Sequence, residues 1–433
     1  MTGRVRAAGS VPGAVPGAVW GSVPGAVSGS GPGAVSAPAP PSAPSAVGGA
    51  DGGAAALLVR CRALVRPALA RAVRRLHPWT GEMAAFSLGW ADVDGTPEPG
   101  ASEGKGVRQA LAVLGAEAVG ADGRVAVAGA VAVELVHAFS LLHDDIMDGD
   151  AVRRQRATVW KAYGTGPAVL AGDALFALAV QSLAEAPGRH TGPAVRRLGD
   201  TLNDLVRGQA EDLCFEGRPW TGPGAVPPDA YRAMAEHKTG SLLGCAAALG
   251  ALLGGAPDTT VAALDRAGRH LGVAFQAVDD LLGVWGDPAV TGKPVHSDLR
   301  RRKKTYPVLA ALAADTPAAR ELAAFLDATG TPGGPGAAPG GPGAAPGGPG
   351  ALPGTPAVTG SAALPAPGAT LDDPATAAHA ASLVERAGGR DATLREAVDQ
   401  LGAARACLRG VPLAPGPSGE LDALLEFLLH RVV

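Results

Sequence analysis

Long runs of apolar and small residues, broken by polar positions at helical rather than alternating spacing, dominate the middle of the chain. The segments "RVAVAGAVAVELVHAFSLLHDD", "GDALFALAVQSLAEA", "AVRRLGDTLNDLVRGQAEDL", "KTGSLLGCAAALGALLGG" and "VAALDRAGRHLGVAFQAVDDLLGVWGD" each allow several helical turns and contain few β-branched alternations. Length and Ala/Leu content favour helix over strand for all five. Gly and Pro clusters at 187–193, 217–228 and 254–257 punctuate them. Neither a strand-turn-strand signal nor a dinucleotide glycine fingerprint is found. The pattern predicts an all-α domain over residues 54–433.

Two tracts interrupt this pattern. Residues 1–53 repeat variants of "VPGAV". Pro removes donors there and Gly raises the entropic cost of order, so a disordered tail is expected. From Gly333 to Pro353 a seven-residue repeat is written three times, "GGPGAAPGGPGAAPGGPGALP". The biased composition extends over about 330–369, which reads as a disordered insertion between helices. With 47% hydrophobic residues the remainder of the 433 can bury a large core. The low aromatic content of 4% again favours helices over sheets.

A net charge of −3 gives no global reason to expect nucleic acid or an anionic membrane as partner. Cys61, Cys214, Cys245 and Cys407 lie far apart without zinc spacing, as expected of reduced thiols in a cytoplasmic protein. The start, "MTGRVRAAGSVPGAVPGAV", lacks the continuous apolar run of a signal peptide. No stretch reaches the ~18–20 uninterrupted apolar residues of a membrane span, so no stable membrane insertion is expected.

Chemistry enters at "LLHDDIMDGDAVRRQ", where Asp144, Asp145, Asp148 and Asp150 crowd the end of an apolar helix. Anions at a helix C-terminus oppose the macrodipole and are disfavoured without a cation. At ~100° per residue, Asp144 and Asp148 fall within about 20° of the direction of His137. A second cluster follows in "AFQAVDDLLGVWGD", with Asp279 and Asp280 and with Gln276 one turn before Asp280. Two Asp-Asp pairs on apolar helices, without a His/Cys cluster, suit Mg²⁺ bridging carboxylates to phosphate oxygens. Cations are present to meet phosphate: Lys105 and Arg108 in "EGKGVR", Arg153 and Arg154, Lys238 beside Thr239, then Lys293, Lys303 and Lys304.

In this order the motifs "GKGVR", "ELVHAFSLLHDDIMD", "RR", "GQAED", "KTGSL", "FQAVDDLLGVWGD", "GKPVHSDL" and "KKTYP" resemble those of the trans-isoprenyl diphosphate synthases, the polyprenyl synthetase family. The resemblance implies an isoprenoid synthase type helical bundle that joins isopentenyl diphosphate to an allylic diphosphate by 1'-4 condensation. It implies three Mg²⁺ ions bound with the diphosphate, held by Asp144, Asp145, Asp148, Asp279 and Asp280. Lys105, Arg108, His137 and Arg154 match positions that grip isopentenyl diphosphate. Arg153, Lys238, Thr239, Gln276, Lys293 and Lys303 match positions at the allylic diphosphate, with Lys238, Thr239, Gln276 and Lys293 as its catalytic set. On this basis Arg153 and Arg154 serve different diphosphates rather than acting as simple counter-ions of the aspartates. Similar synthases are usually homodimers.

The chain departs from the family's pattern at Gly283, where many members carry the last Asp of the second motif, and at Gly106 and Gln109. Phe139 and the small Ser140, five and four positions before Asp144, occupy the floor of the product channel in such enzymes. They suggest geranylgeranyl diphosphate as product, with farnesyl diphosphate as the alternative. Two other readings stay open: a class I terpene cyclase, which would need an Asn/Ser/Glu metal triad in place of "DDLLG", and a catalytically silent partner subunit. The tail reads either as a passive linker or as a loading segment for a protein shell (encapsulin).

Overall fold

A computed structural model describes residues 51–93, 95–97, 104–329 and 370–429. The tail up to residue 50, and with it the shell-loading reading, lies outside the described residues, as does the expected insertion at 330–369. The first helix begins at Asp51, slightly before the expected boundary of the tail.

The first helices are α1 (Asp51–Val73), α2 (Pro78–Ser87), α3 (Val107–Ala118), α4 (Val127–Met147), α5 (Val159–Tyr163) and α6 (Thr165–Ala184). There follow α7 (Thr191–Glu216), α8 (Pro228–Ala235), α9 (Ser241–Leu253) and α10 (Asp258–Trp285). The short α11 (Pro288–Thr291) and α12 (Ser297–Arg300) lead to α13 (Tyr306–Ala313), α14 (Pro317–Ala328), α15 (Pro374–Arg386), α16 (Gly389–Arg409) and α17 (Pro415–Leu429). The Gly/Pro clusters fall in the connections α6–α7, α7–α8 and α9–α10. A full turn of π-helix, Glu236–Gly240, joins α8 to α9.

The main core is built from α1, α3, α4, α6, α7, α9 and α10, with Leu114, Leu135, Leu175, Leu198, Leu249 and Leu271 inaccessible to solvent. A smaller core gathers Trp220, Val284, Leu299, Leu322 and Leu383 around α13, α14 and α15. At the centre, helices meet backbone to backbone. A Cβ added at Gly250 of α9 would overlap the Ala112 carbonyl of α3, and one at Gly115 would overlap Ala247. Gly244 of α9 and Gly268 of α10 interlock in the same way.

Two helical stretches, Gly123–Met147 and Thr165–Ala184, are long and apolar enough to cross a membrane by length and composition, although Glu134 and Asp173 interrupt their apolar runs. The first reaches that length because Ala, Gly and Val fill a buried core face; the second is less buried.

The structure also contains a hairpin that the sequence does not announce. Val152–Arg153 (β1) pairs antiparallel with Arg156–Ala157 (β2), turning through Arg154 (φ 50°) and Gln155 (φ 64°). Both turn residues adopt the left-handed conformation that two-residue hairpins require and that Asn-Gly ordinarily supplies. Strands of two residues carry no readable alternation.

Candidate active site

The acidic end of α4 is matched to cations carboxylate by carboxylate. Burial pushes the Asp144 carboxyl up to about 6 even with the Lys238 ammonium nearby. Asp145 is buried and accepts from Arg153 Nε at 2.8 Å and Nη2 at 2.7 Å. Asp148 accepts from Lys303 Nζ at 3.0 Å. Burial alone would raise its carboxyl, but Lys303 and more distant cations bring it below the ordinary value. Asp150 pairs with Arg301 at 2.6 Å and Lys293 at 3.8 Å, and Arg301 also donates to the Asp148 carbonyl at 2.7 Å. The helix terminus thus receives the positive charge that its dipole and its aspartates demand. Arg153 thus pairs with Asp145. The hairpin aims it at Asp145 and turns the next residue, Arg154, towards Gly104, where an added Cβ would stand 2.8 Å from its Nη2.

The π turn presents Lys238 and Thr239. Gly208 of α7 lies against the Lys238 backbone on one side, and Gly240 meets Gly272 of α10 on the other, with no room for a Cβ at either contact. Lys238 Nζ donates to Asp212 of α7 at 2.5 Å, and Thr239 Oγ1 donates to Gln276 Oε1 at 3.0 Å. A full π turn widens the helix locally and recurs at functional sites.

The second acidic pair is divided by its helix. Asp279 is exposed. Asp280 is only 2% exposed and accepts from Tyr231 Oη at 2.7 Å, the Tyr306 amide at 2.9 Å and Gln276 Nε2 at 3.0 Å. Burial nevertheless pushes its carboxyl up to about 7. The network continues outward: Tyr306 Oη donates to Glu396 of α16 at 2.9 Å, and Arg232 grips the same carboxylate at 2.7 and 2.8 Å. With donors on both oxygens, Asp280 is placed to hold Gln276, whereas both contacts of Arg153 fall on a single oxygen of Asp145, Oδ1. The one-turn spacing of Gln276 and Asp280 survives as a hydrogen bond between them.

A separate basic pole forms where α3 meets α4. Arg108 Nη1 lies 3.3 Å from His137 Nε2, so donation from the guanidinium places the imidazole proton on Nδ1. Burial, reinforced by Arg108, Arg154 and Arg153, lowers the His137 pKa well below the ordinary value and keeps the ring neutral. Arg108 Nε is buried without a hydrogen-bond partner among the described residues, the condition of a donor awaiting an anion. Lys105 Nζ lies 5.5 Å from the Phe427 ring of α17. Arg62 of α1 joins this pole by donating to the Gly104 carbonyl at 2.5 Å.

Sequence reasoning missed Arg62, Asp212, Arg301, Tyr231 and Tyr306. Asp212 had a signal in the quoted "GQAED" and Tyr306 in the quoted "KKTYP"; the others had none. The "GQAED" motif also contributes Gln209, whose buried amide has no partner among the described residues.

Among the described residues no three acidic, imidazole or thiol groups converge tightly enough to bind a metal by themselves. The donor chemistry still fits Mg²⁺, which takes one or two carboxylates and completes its shell with water and phosphate oxygens. Asp144, with its burial-raised carboxyl, gains from any cation brought beside it.

Beyond the acids, Phe139 meets His143 edge-to-face with ring centroids 4.9 Å apart and Phe176 of α6 at a tilt with centroids 5.4 Å apart. The Ser140 hydroxyl turns back to the His137 carbonyl at 3.0 Å. Phe139, expected at the channel floor, thus sits in a group of three rings.

The polyprenyl synthetase family model matches residues 100–331. A (2E,6E)-farnesyl diphosphate synthase of Mycobacterium tuberculosis is 48% identical over 269 residues, covering 62% of this chain and 73% of the relative. A geranylgeranyl diphosphate synthase of the same organism is 50% identical over 274 residues, covering 63% and 77%. The crystal structure of a polyprenyl synthetase from Streptomyces coelicolor superposes with a TM-score of 0.72 at 43% identity, covering 86% of this chain and 98% of that one.

Proposed function

Because the chain belongs to the polyprenyl synthetase family and is a trans-prenyltransferase, we propose that it extends an allylic diphosphate to geranylgeranyl diphosphate by 1'-4 condensation with isopentenyl diphosphate. The carrying observation is the separation of two cationic poles: Arg108 and His137 form one, while Lys238 and Lys303 stand among the aspartates at the other. Two diphosphates need two such poles. A terpene cyclase, with a single diphosphate, has no use for the first.

In this reading Lys105, Arg108 and Arg154 hold isopentenyl diphosphate by charge-assisted hydrogen bonds. His137, kept neutral, accepts from Arg108 and fixes the guanidinium plane. Lys238, Lys293 and Lys303 take the allylic diphosphate, with Thr239 and Gln276 oriented beside it by Asp280. Asp144, Asp148 and Asp279 would hold Mg²⁺, which when bound supplies positive charge to the departing diphosphate. The lysines stabilise the same developing charge. The apolar walls of α4, α6 and α9 exclude the water that would quench an allylic cation. The isopentenyl double bond attacks that cation, and the proton then lost passes to the released diphosphate.

Product length is read from the Phe139, His143 and Phe176 floor. We also assign a homodimer contact to the outer face of α6, where Val169 and Leu170 remain 39% and 50% exposed with Trp79 of α2 at 45%. Incubating the purified chain with labelled isopentenyl diphosphate, Mg²⁺ and dimethylallyl, geranyl or farnesyl diphosphate tests the whole proposal. A C20 product is expected; incorporation stopping at C15 reassigns it as a farnesyl diphosphate synthase, and absence of incorporation with every primer overturns it.

A further inference from the structure

The segment "RRKK", Arg301 to Lys304, leads from α12 to α13 and sends its four basic side chains two ways. Arg301 and Lys303 reach the acidic end of α4, on Asp150, the Asp148 carbonyl and the Asp148 carboxylate. Arg302 and Lys304 turn instead to Trp220, in the connection between α7 and α8. The Lys304 ammonium lies 3.4 Å from the indole centroid, and the Arg302 guanidinium carbon 5.9 Å from it. Arg302 adopts a left-handed backbone (φ 55°), a conformation few non-Gly residues take. Its guanidinium is anchored to Thr329 Oγ1 at 3.1 Å and the Leu326 carbonyl at 3.2 Å.

Trp220 is a rigid seat for this strap. It is 6% exposed, packs in the smaller core with Leu299 and Leu322, and its neighbour Thr221 donates to Asp327 at 3.3 Å. Lys304 is equally buried at 6%. Desolvating an ammonium is costly, and the negative face of an indole offsets part of that cost. Consecutive residues share a planar peptide. Lys303 and Lys304 are thus joined through one rigid peptide while their ammonium groups go to different partners, Asp148 and Trp220.

We propose that Trp220 is a positioning residue for the reaction: by seating Lys304 on its ring, it sets the reach of Lys303 into the allylic diphosphate pole. This inference rests on the reading of Lys303 given above. Steady-state kinetics of the full chain, with each diphosphate varied in turn, test it in Lys304→Met, Trp220→Ala, Trp220→Phe and Lys303→Ala. Lys304→Met keeps the packed stem and removes the charge. It should raise KM for the allylic diphosphate about tenfold, the effect of losing a desolvated cation–π contact, with kcat and the isopentenyl diphosphate KM within twofold of wild type. Trp220→Ala should shift the same constant, and Trp220→Phe, which keeps an aromatic face, should restore it. If Lys303→Ala raises the allylic KM while Lys304→Met leaves it at the wild-type value, the role of Trp220 is overturned, whatever Trp220→Ala does to folding. If Lys303→Ala also leaves it unchanged, the reading of Lys303 fails, and the proposal with it.

Discussion

Restoring the family's usual residue at position 283 should damage this protein. Gly283 faces the Asp298 carboxylate so closely that an added Cβ would overlap its oxygens. Asp298 is held by the Ser297 hydroxyl, and burial pushes its carboxyl up against the pull of Lys303, Lys293 and Arg301. Gly283→Ala adds only the overlap, for which about 1–3 kcal/mol is typical. Gly283→Asp adds a second carboxylate. Two unit charges ~4 Å apart repel by roughly 4 kcal/mol at an effective dielectric of about 20, until one of them takes up a proton. Together these come to about 5–7 kcal/mol at neutral pH, which corresponds to a Tm lower by roughly 10–14 °C for a protein of this size.

The pH dependence separates the two contributions. In Gly283→Asp the folded state retains a proton that the unfolded state releases, so the extra loss grows as pH rises through the acidic range and shrinks at low pH. Gly283→Ala should show no such trend. Thermal melts of both variants between pH 5 and 8 make the measurement. A Gly283→Asp protein as stable as wild type at every pH would refute the lodging of Asp298 in the space that the missing side chain leaves.

Other expectations follow from the same geometry. Asp279→Asn should raise the Mg²⁺ concentration needed for activity and for diphosphate-dependent thermal stabilisation, whereas Asp280→Asn should lower kcat and Tm with the Mg²⁺ response unchanged; identical responses would return Asp280 to the metal. Lys304, lowered by burial to about 8, binds its proton less tightly folded than unfolded. Its contribution to stability should therefore rise between pH about 8 and 10.5, and a wild-type minus Lys304→Met difference in denaturation midpoint that is flat across that window would contradict this. Ser140→Phe adds a fourth ring beside Phe139 and should shorten the product, read by chromatography; an unaltered product places the floor elsewhere. Leu170→Glu on the outer face of α6 should turn a dimer into a monomer in light scattering, and a dimer of unchanged affinity would locate the interface on another face.

Much of this site was legible because helix periodicity orders residues within one element. It gave α4 and α10 their acidic ends and the pairing of Gln276 with Asp280. Periodicity is silent about what stands opposite. Asp144 and Asp145 are adjacent in sequence and chemically identical, yet one is raised by burial and the other is paired through Oδ1 with Arg153 from a hairpin of two-residue strands. The same blindness hid Tyr231 and the Tyr306 amide on Asp280, and Asp298 beside Gly283. Trp220 carried no motif, and its seat for Lys304 arises only when the α7–α8 connection meets the strap before α13.

The backbone-to-backbone contacts of α3, α9 and α10 divide the molecule into a fixed half and an adjustable one. Where Gly115, Gly250, Gly244 and Gly268 touch neighbouring main chain, no larger residue can be accepted without moving a helix. The diphosphate poles are fastened to that half, through Arg108 on α3 and Gln276 on α10. Where α4 meets α6 the contact is made by the side chains of Phe139, His143 and Phe176, which can be exchanged one at a time. In the proposed reading, the end assigned to charge is held by steric necessity, while the end assigned to hydrocarbon can change by single substitutions.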